Sequence, residues 1–493
     1  MNDPREFSPL AWTRIVALAV ISGASLAACG GGGGGGSGPG QQTMVPGAPG
    51  ALVATTGDAA LSLGWTAPAS TGGAAIQSYE ITSTPAVAAA NISVAGTHAV
   101  ITGLTNDTPY TLTVRARNSA GLGAASSSVT VTPRRVDVNI YTPLVVQGDA
   151  SPSGIYDPSL LRVPSGDLWL SYSSVDYHNN GSGQLVQDVG VRLARSADGG
   201  MTFNFVQALA APAAGTVTDT DIVGQSACGA ATCTGRWNHE TSWLIDDATD
   251  PDPARRYKWF AHKYFLNPGG ASPTLYHLGA IVMRTAGDPA GTWSAETTLL
   301  RWNLTPPEFT GGININTLHA DLAPCLVVAE GGAAVRGGTI DLVFACPFLG
   351  ANPNPQKVVM LRSSDHLATL QYVSTLLTTA DAAPYGNANF FTAPALLASA
   401  GNAQQLIVTP AIQGIYVGSV VFPFADEAAG TLIRRNGAPV PIAFTPVPPG
   451  HFGGAATYEL GAAATGLLLS DGTAGATLLQ TQFRITATHA ALQ

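Results

Sequence analysis

Three acidic residues stand where the chain enters strand-like runs. The runs are Tyr156-Asp157-Pro158-Ser159-Leu160-Leu161, His239-Glu240-Thr241-Ser242-Trp243-Leu244 and Ala320-Asp321-Leu322-Ala323-Pro324-Cys325-Leu326. Phe391-Thr392-Ala393-Pro394-Ala395-Leu396 and the looser Gly453–Tyr458 open similarly without an acid. Asp157 and Glu240 fall in matching register in this alignment. Asp321 precedes the matching Ala323 by two residues and keeps the same face, because strand side chains alternate. Carboxylates that converge on one pocket repel one another and resist desolvation unless they are paired or used. One use is cleavage of an acetal linkage, in which one acid protonates the leaving oxygen and another carboxylate activates water or attacks. On that chemistry Asp157 is the base or nucleophile, Glu240 the proton donor, and Asp321 a ligand-orienting or pKa-modulating group. The competing role for all three is to cap turns.

Other side chains near these openings are candidates for binding. Tyr156 and Trp237 can stack on sugar rings, and His239, His319 and His451 can tune a carboxyl or hold a ligand. The competing roles are packing for the aromatics and structural hydrogen bonding for the histidines. No metal-ligand set and no cofactor is expected, with a structural cation in a central channel left open. Gly30–Gly36 is followed by no strand, Lys or helix of a phosphate loop.

The elements that must position these residues are strands. Second strands follow the openings at Leu168–Tyr172, Tyr257–Ala261, Ile340–Phe344 and Gln405–Thr409. Arg195-Ser196-Ala197-Asp198-Gly199-Gly200-Met201-Thr202-Phe203 suits a tight hairpin, with Asp capping amides and Gly allowing positive φ. It resembles the Asp-box of sialidase-like propellers. Weaker copies lie at 284–293, 362–370 and 424–432, and Ser470-Asp471 through Leu478 is a fifth copy or a plain hairpin. Residues 136–493 thus divide into five repeats of about 72 residues, enough for four strands and loops each. The expectation is an all-β chain ending in a five-bladed β-propeller. The alternative is six blades of about 60 residues, for which no sixth opening is found. The segment Val136–Val146 is expected to supply the closing outer strand.

On Asp157-Pro158 at the first opening, this domain resembles the five-bladed glycoside hydrolase group around arabinanases and β-xylosidases. The resemblance implies that Asp157 is the general base. That family's remaining carboxylates run Asp then Glu along the chain, whereas here they run Glu240 then Asp321. The Arg-Ile-Pro of sialidases has no counterpart at the opening, since Arg162-Val163-Pro164 lies beyond it, so sialidase activity is not expected. The resemblance implies a carbohydrate-binding channel that hydrolyses glycosidic bonds. The rival class is a non-catalytic carbohydrate- or protein-binding propeller.

Residues 46–134 carry alternating strands at Leu61–Trp65, Ser78–Thr82 and Tyr110–Ala116. Trp65, the approach Leu104–Tyr110 and the turn Asn118–Gly123 resemble a fibronectin type III β-sandwich. Ahead of it, Arg5 and Arg14 precede an apolar run of about 14 residues, Ile15–Ala28, short of the roughly 20 that span a bilayer. Leu26-Ala27-Ala28-Cys29 resembles a bacterial lipobox, so residues 1–28 are expected to be a lipoprotein signal peptide and Cys29 the lipidated residue. An ordinary signal cleaved near Ala28 is the alternative. Gly30, where an Asp would mark inner-membrane retention, favours the outer membrane of a Gram-negative cell. Residues 29–45 form a Gly-rich tether of roughly 20 Å reach.

The four other cysteines fit an oxidising compartment as two disulfides, Cys228–Cys233 and Cys325–Cys346, and their spacing matches no zinc site. The net charge of −9 gives no basic face for nucleic acid. Expected partners are a carbohydrate and, through the lipid anchor only, a membrane. The chain is expected to be a monomer.

Overall fold

The computed structural model describes residues 43–134, 142–179, 181, 183–218, 231–267, 274–347, 356–397, 405–412, 415–447, 451, 453–454, 456–457, 468–473 and 478–487. The signal segment, Cys29, the tether up to residue 42 and Cys228 lie outside the described residues. Most of the described residues are in strands, with one four-residue α-helix at Thr379–Ala382.

Residues 50–131 form the expected sandwich. One sheet orders Gly50–Gly57, Ala60–Thr66, His98–Thr102 and Ile92–Ala95, and the other joins Ser78–Thr84, Tyr110–Asn118, Gly121–Ala125 and Val129–Val131. Alternation explains the core: Leu61, Leu63 and Trp65 point inward against Ile101, Leu112 and Val114. The Tyr110 hydroxyl accepts the Thr105 N–H at 3.0 Å, which pins the corner before its strand.

Five sheets of four to six strands follow among the described residues. Their inner strands are Ile155–Arg162, Thr232–Asp246, Ala329–Arg336, Phe390–Leu397 and Ala456–Thr457. Each packs on the next, and the fifth returns to the first. The entering segment closes the ring as expected: Pro143 pairs with Thr486 on the last sheet, and Val146–Gln147 then pairs with Phe203–Asn204 on the first.

The first four inner strands share one irregularity. Pairing slips between Tyr156 and Ser159, Glu240 and Trp243, Ala329 and Gly332, and Thr392 and Ala395. A non-glycine residue with positive φ sits in each slip: Asp157 at 50°, Thr241 at 48°, Glu330 at 50° and Ala393 at 44°. Such bulges re-aim side chains, and here they turn the strand start toward the axis. Two expectations are corrected by this register. Asp157 aligns with Thr241, so Glu240 stands one residue earlier, level with Tyr156. The third inner strand opens at Ala329-Glu330, and Ala320–Leu326 is a turn ahead of it.

The Ser-Asp-Thr turns behave as expected. Asp198 takes the Thr202 N–H at 3.0 Å and its hydroxyl at 2.7 Å, while Ser196 Oγ takes the Gly200 N–H. Asp365, Thr369, Ser363 and Leu367 repeat the pattern, with Leu367 at φ 75° where Gly200 is at 97°. Ser470-Asp471 is not a turn; it lies in the strand Leu468–Thr473.

Cys325 and Cys346 are disulfide-bonded, with Cα atoms 5.3 Å apart. Cys346 is in the strand Thr339–Pro347, but Cys325 lies in the preceding loop rather than in a strand. Cys233 is disulfide-bonded and buried.

The sandwich is docked on the fourth sheet. Val100 is fully buried in a cluster with Ile407, Val421, Ile433, Ile442 and Leu469. Asp58 N–H donates to Ile442 O, and Arg435 donates to Ser93 Oγ at 2.8 Å. A Cβ on Gly57 would sit 1.9 Å from Ile442 O, so this approach requires glycine.

Candidate active site

The ring of inner strands encloses a cavity of about 60 Å³, lined in part by Asp157, Thr241, Trp243, Glu330, Ala395 and Thr457. Gly331 and Gly332 let the third strand approach its neighbours: a Cβ on Gly331 would meet the Phe344 ring at 2.5 Å, and one on Gly332 would meet Ala395 Cα at 2.6 Å.

Asp157, Glu240 and Glu330 are each half-buried. Ser173 Oγ donates to Asp157 Oδ2 at 3.0 Å and accepts the Thr241 N–H at 3.3 Å, tying the first two sheets. The Asp157 N–H donates to Ser470 Oγ on the fifth sheet at 2.8 Å. Tyr264 OH donates to Glu240 Oε2 at 2.9 Å. Glu330 accepts the Ala393 N–H at 3.0 Å and the Tyr416 hydroxyl at 3.4 Å. The buried Thr241 Oγ1 has no hydrogen-bond partner among the described residues.

No ion pair neutralises these acids among the described residues, and their ionisation shows it. Burial raises the Asp157 carboxyl to about 6, against the hydrogen bonds from Ser173 and Thr241. Burial, then the charge of Asp157, raises Glu240 to about 8. The same two causes raise Glu330 to about 7. Tyr156, Tyr264, Tyr276 and Tyr416 surround the acids, and burial and the carboxylate charges hold their hydroxyls protonated.

The structure brings together Asp157, Glu240 and Tyr156 of the sequence candidates. Tyr156 stands beside the acids with its ring edge-on to Phe483 at 5.2 Å. Asp321 is elsewhere, 45% exposed on a turn, where the Tyr372 hydroxyl and then Lys357 Nζ hold its carboxyl below the usual range. His319 is on that turn too, stacked on Tyr372 at 4.1 Å. Trp237 packs edge-on against Phe265 and Phe309 beneath Lys263 and faces a separate pocket with Glu296 and Glu308, away from the channel. His239 is buried against Glu296 at 2.9 Å, and burial lowers its pKa. His451 is held by Asp471 and Arg484 on the fifth sheet.

Sequence reasoning missed Glu330, Tyr264, Tyr276 and Tyr416. The signal for Glu330 was a residue followed by Gly or Pro at the bulge: Asp157-Pro158, Glu330-Gly331 and Ala393-Pro394 align, whereas Ala323-Pro324 only resembles them in composition.

The one group of three metal-type side chains with ligand atoms within 4.8 Å, among the described residues, is Asp247, Asp250 and His366. The Lys258 ammonium already sits there, 2.9 and 2.8 Å from the two carboxylates.

Residues 47–132 match the fibronectin type III domain family. The chain is 40% identical over 95 residues to chitinase A1 of Niallia circulans, which is 19% of this chain and 13% of that protein's length. Among solved structures it is similar to a family 117 glycoside hydrolase of Zobellia galactanivorans, at 13% identity and TM-score 0.41, covering 71% of this chain and 90% of that one. It is also similar to the catalytic domain of the Coprinopsis cinerea GH62 α-L-arabinofuranosidase, at 11% identity and TM-score 0.37, covering 70% and 95%. An exo-β-1,3-galactanase of Phanerochaete chrysosporium is similar at 12% identity and TM-score 0.38, covering 70% and 62%.

Proposed function

We propose that the channel of this all-β chain, with its five sheets as propeller blades, binds a neutral carbohydrate and hydrolyses a glycosidic bond. The observation that carries this reading is the divergence of two carboxyls in one channel, Asp157 at about 6 and Glu240 at about 8. At pH 7 the first is ionised and the second protonated. That is the pairing of base and acid the reaction needs, set by environment alone. Asp157 is the base or nucleophile and Glu240 donates the proton to the leaving oxygen. Glu330 takes the place first given to Asp321, since its charge raises Glu240.

Export with a lipid anchor at Cys29, placement at the outer membrane and monomeric behaviour belong to the same reading. They are supported by the apolar run before Leu26-Ala27-Ala28-Cys29 and by the disulfide Cys325–Cys346.

The test is a screen of the full chain against para-nitrophenyl glycosides and neutral oligosaccharides, beside Asp157→Asn and Glu240→Gln. Each variant is expected to lose about 10²–10⁴-fold in turnover. The wild-type profile of kcat/KM should rise through about pH 6 and fall through about pH 8, as Asp157 must lose its proton and Glu240 must keep its own. Sugar binding without turnover would leave only a binding propeller. Neither binding nor turnover would remove the carbohydrate reading.

A further inference from the structure

We propose that Tyr276 is the platform on which the bound sugar ring lies, its exposed face taking the C–H face of a neutral pyranose or furanose beside Glu240. The proposal rests on the carbohydrate reading of the channel and adds a substrate-contacting residue to it. Tyr276 lies in the strand Thr274–Ala286, in the second sheet with Glu240. It is 42% exposed, among the few large apolar side chains left open to solvent. Among the exposed large apolar side chains described, Tyr276 is the one hydrogen-bonded to Glu240, and Glu330 and Asp157 lie near enough for their charges to act on it.

The ring is exposed but not loose. Tyr264 lies 4.7 Å from its centroid and His262 5.8 Å, and His262 Nε2 is 3.1 Å from the Tyr276 carbonyl oxygen. Tyr264 is fully buried and donates to Glu240 Oε2. One support therefore fixes both the proton donor and the exposed ring. Among the described residues no further aromatic ring covers Tyr276. A part-exposed aromatic held by neighbouring rings binds apolar surface at little entropic cost, and the Tyr276 hydroxyl is hydrogen-bonded to the Glu240 carboxyl. The acids supply no cation to attract an anionic sugar, so the ring's apolar face is what the platform reads.

The experiment uses the full chain in the Glu240→Gln background, titrated calorimetrically with xylotetraose, arabinotetraose and β-1,3-galactotriose. Tyr276→Phe keeps the ring and is expected to bind the tightest of these within about threefold of the parent. Tyr276→Leu and Tyr276→Ala are expected to weaken it about tenfold or more, with unchanged thermal midpoints. Tyr276→Ala binding as tightly as the parent would overturn the platform and leave the channel reading intact. Tyr276→Phe weakening as much as Tyr276→Ala would overturn stacking in favour of a hydroxyl contact. A parent that binds none of the three sugars would overturn the channel reading and the platform with it.

Discussion

Glu240 and Asp247 are carried by one stretch of chain, the first in the second inner strand and the second just past its end. Both carboxyls are removed from bulk water, yet burial pushes Glu240 up to about 8 while Asp247 is held down to about 2. Burial opposes ionisation of Asp247 as well, but Lys258, His366 and Thr249 all bond to it and outweigh that cost. Asp341 with Arg362 and Asp188 with Arg236 repeat the paired arrangement at other places between strands. The comparison separates acids that hold sheets together from acids kept unpaired. An unpaired, raised carboxyl costs stability, and its persistence in a channel points to use.

The largest effect should come from breaking the paired region. Asp247→Ala leaves the fully buried Lys258 short of a partner and should cost about 3–5 kcal/mol in urea unfolding. Turnover per folded molecule should be unchanged. A loss under about 1 kcal/mol would erase the distinction, since surface pairs contribute that little.

A smaller effect should separate Glu330 from Asp321. Neutralising Glu330 by Glu330→Gln removes a charge that raises Glu240, so the alkaline limb of kcat/KM should move to lower pH. Turnover at pH 7 should fall about tenfold. Asp321→Asn should move neither. Equal pH profiles for the two variants would put Glu330 outside the machinery.

The smallest effect is on stability. Glu240 has an ordinary value of 4.5 and is raised to about 8 in the fold, so between these pH values the folded chain holds a proton that the unfolded chain has released. Stability from this group is therefore lost as pH rises through that window. Glu240→Gln should raise the thermal midpoint by roughly 2 °C at pH 8 and leave it unchanged at pH 4. A lowered midpoint at pH 8 would mean that Glu240 is paired after all.

Much of this was legible in local patterns. Trp65, the Tyr110 corner and period-two alternation report the sandwich because each depends on neighbours a few residues away. The Ser196-Asp198-Thr202 turn is equally local, since its bonds close within four residues. Asp157 and Glu240 were found because each begins an apolar run. Glu330 was not, because Pro324 mimicked the bulge signature while the true strand began after the disulfide-tied turn. Trp237 and His239 failed as channel candidates for a different reason: long-range partners, Phe309 and Glu296, had claimed them.

By itself, then, the amino-acid order determined an all-β chain, a sandwich ahead of repeated strand units, and two of the three channel acids. Those features follow from side-chain period and turn chemistry, which act over a few residues. Only the tertiary structure decided which acids share a channel and which are paired. Thr241, Ser470 and Ala393 reach Asp157 or Glu330 from other sheets, and His366 reaches Asp247 from the third sheet. Ionisation depends on burial and on charges several ångströms away, and sequence spacing carries neither.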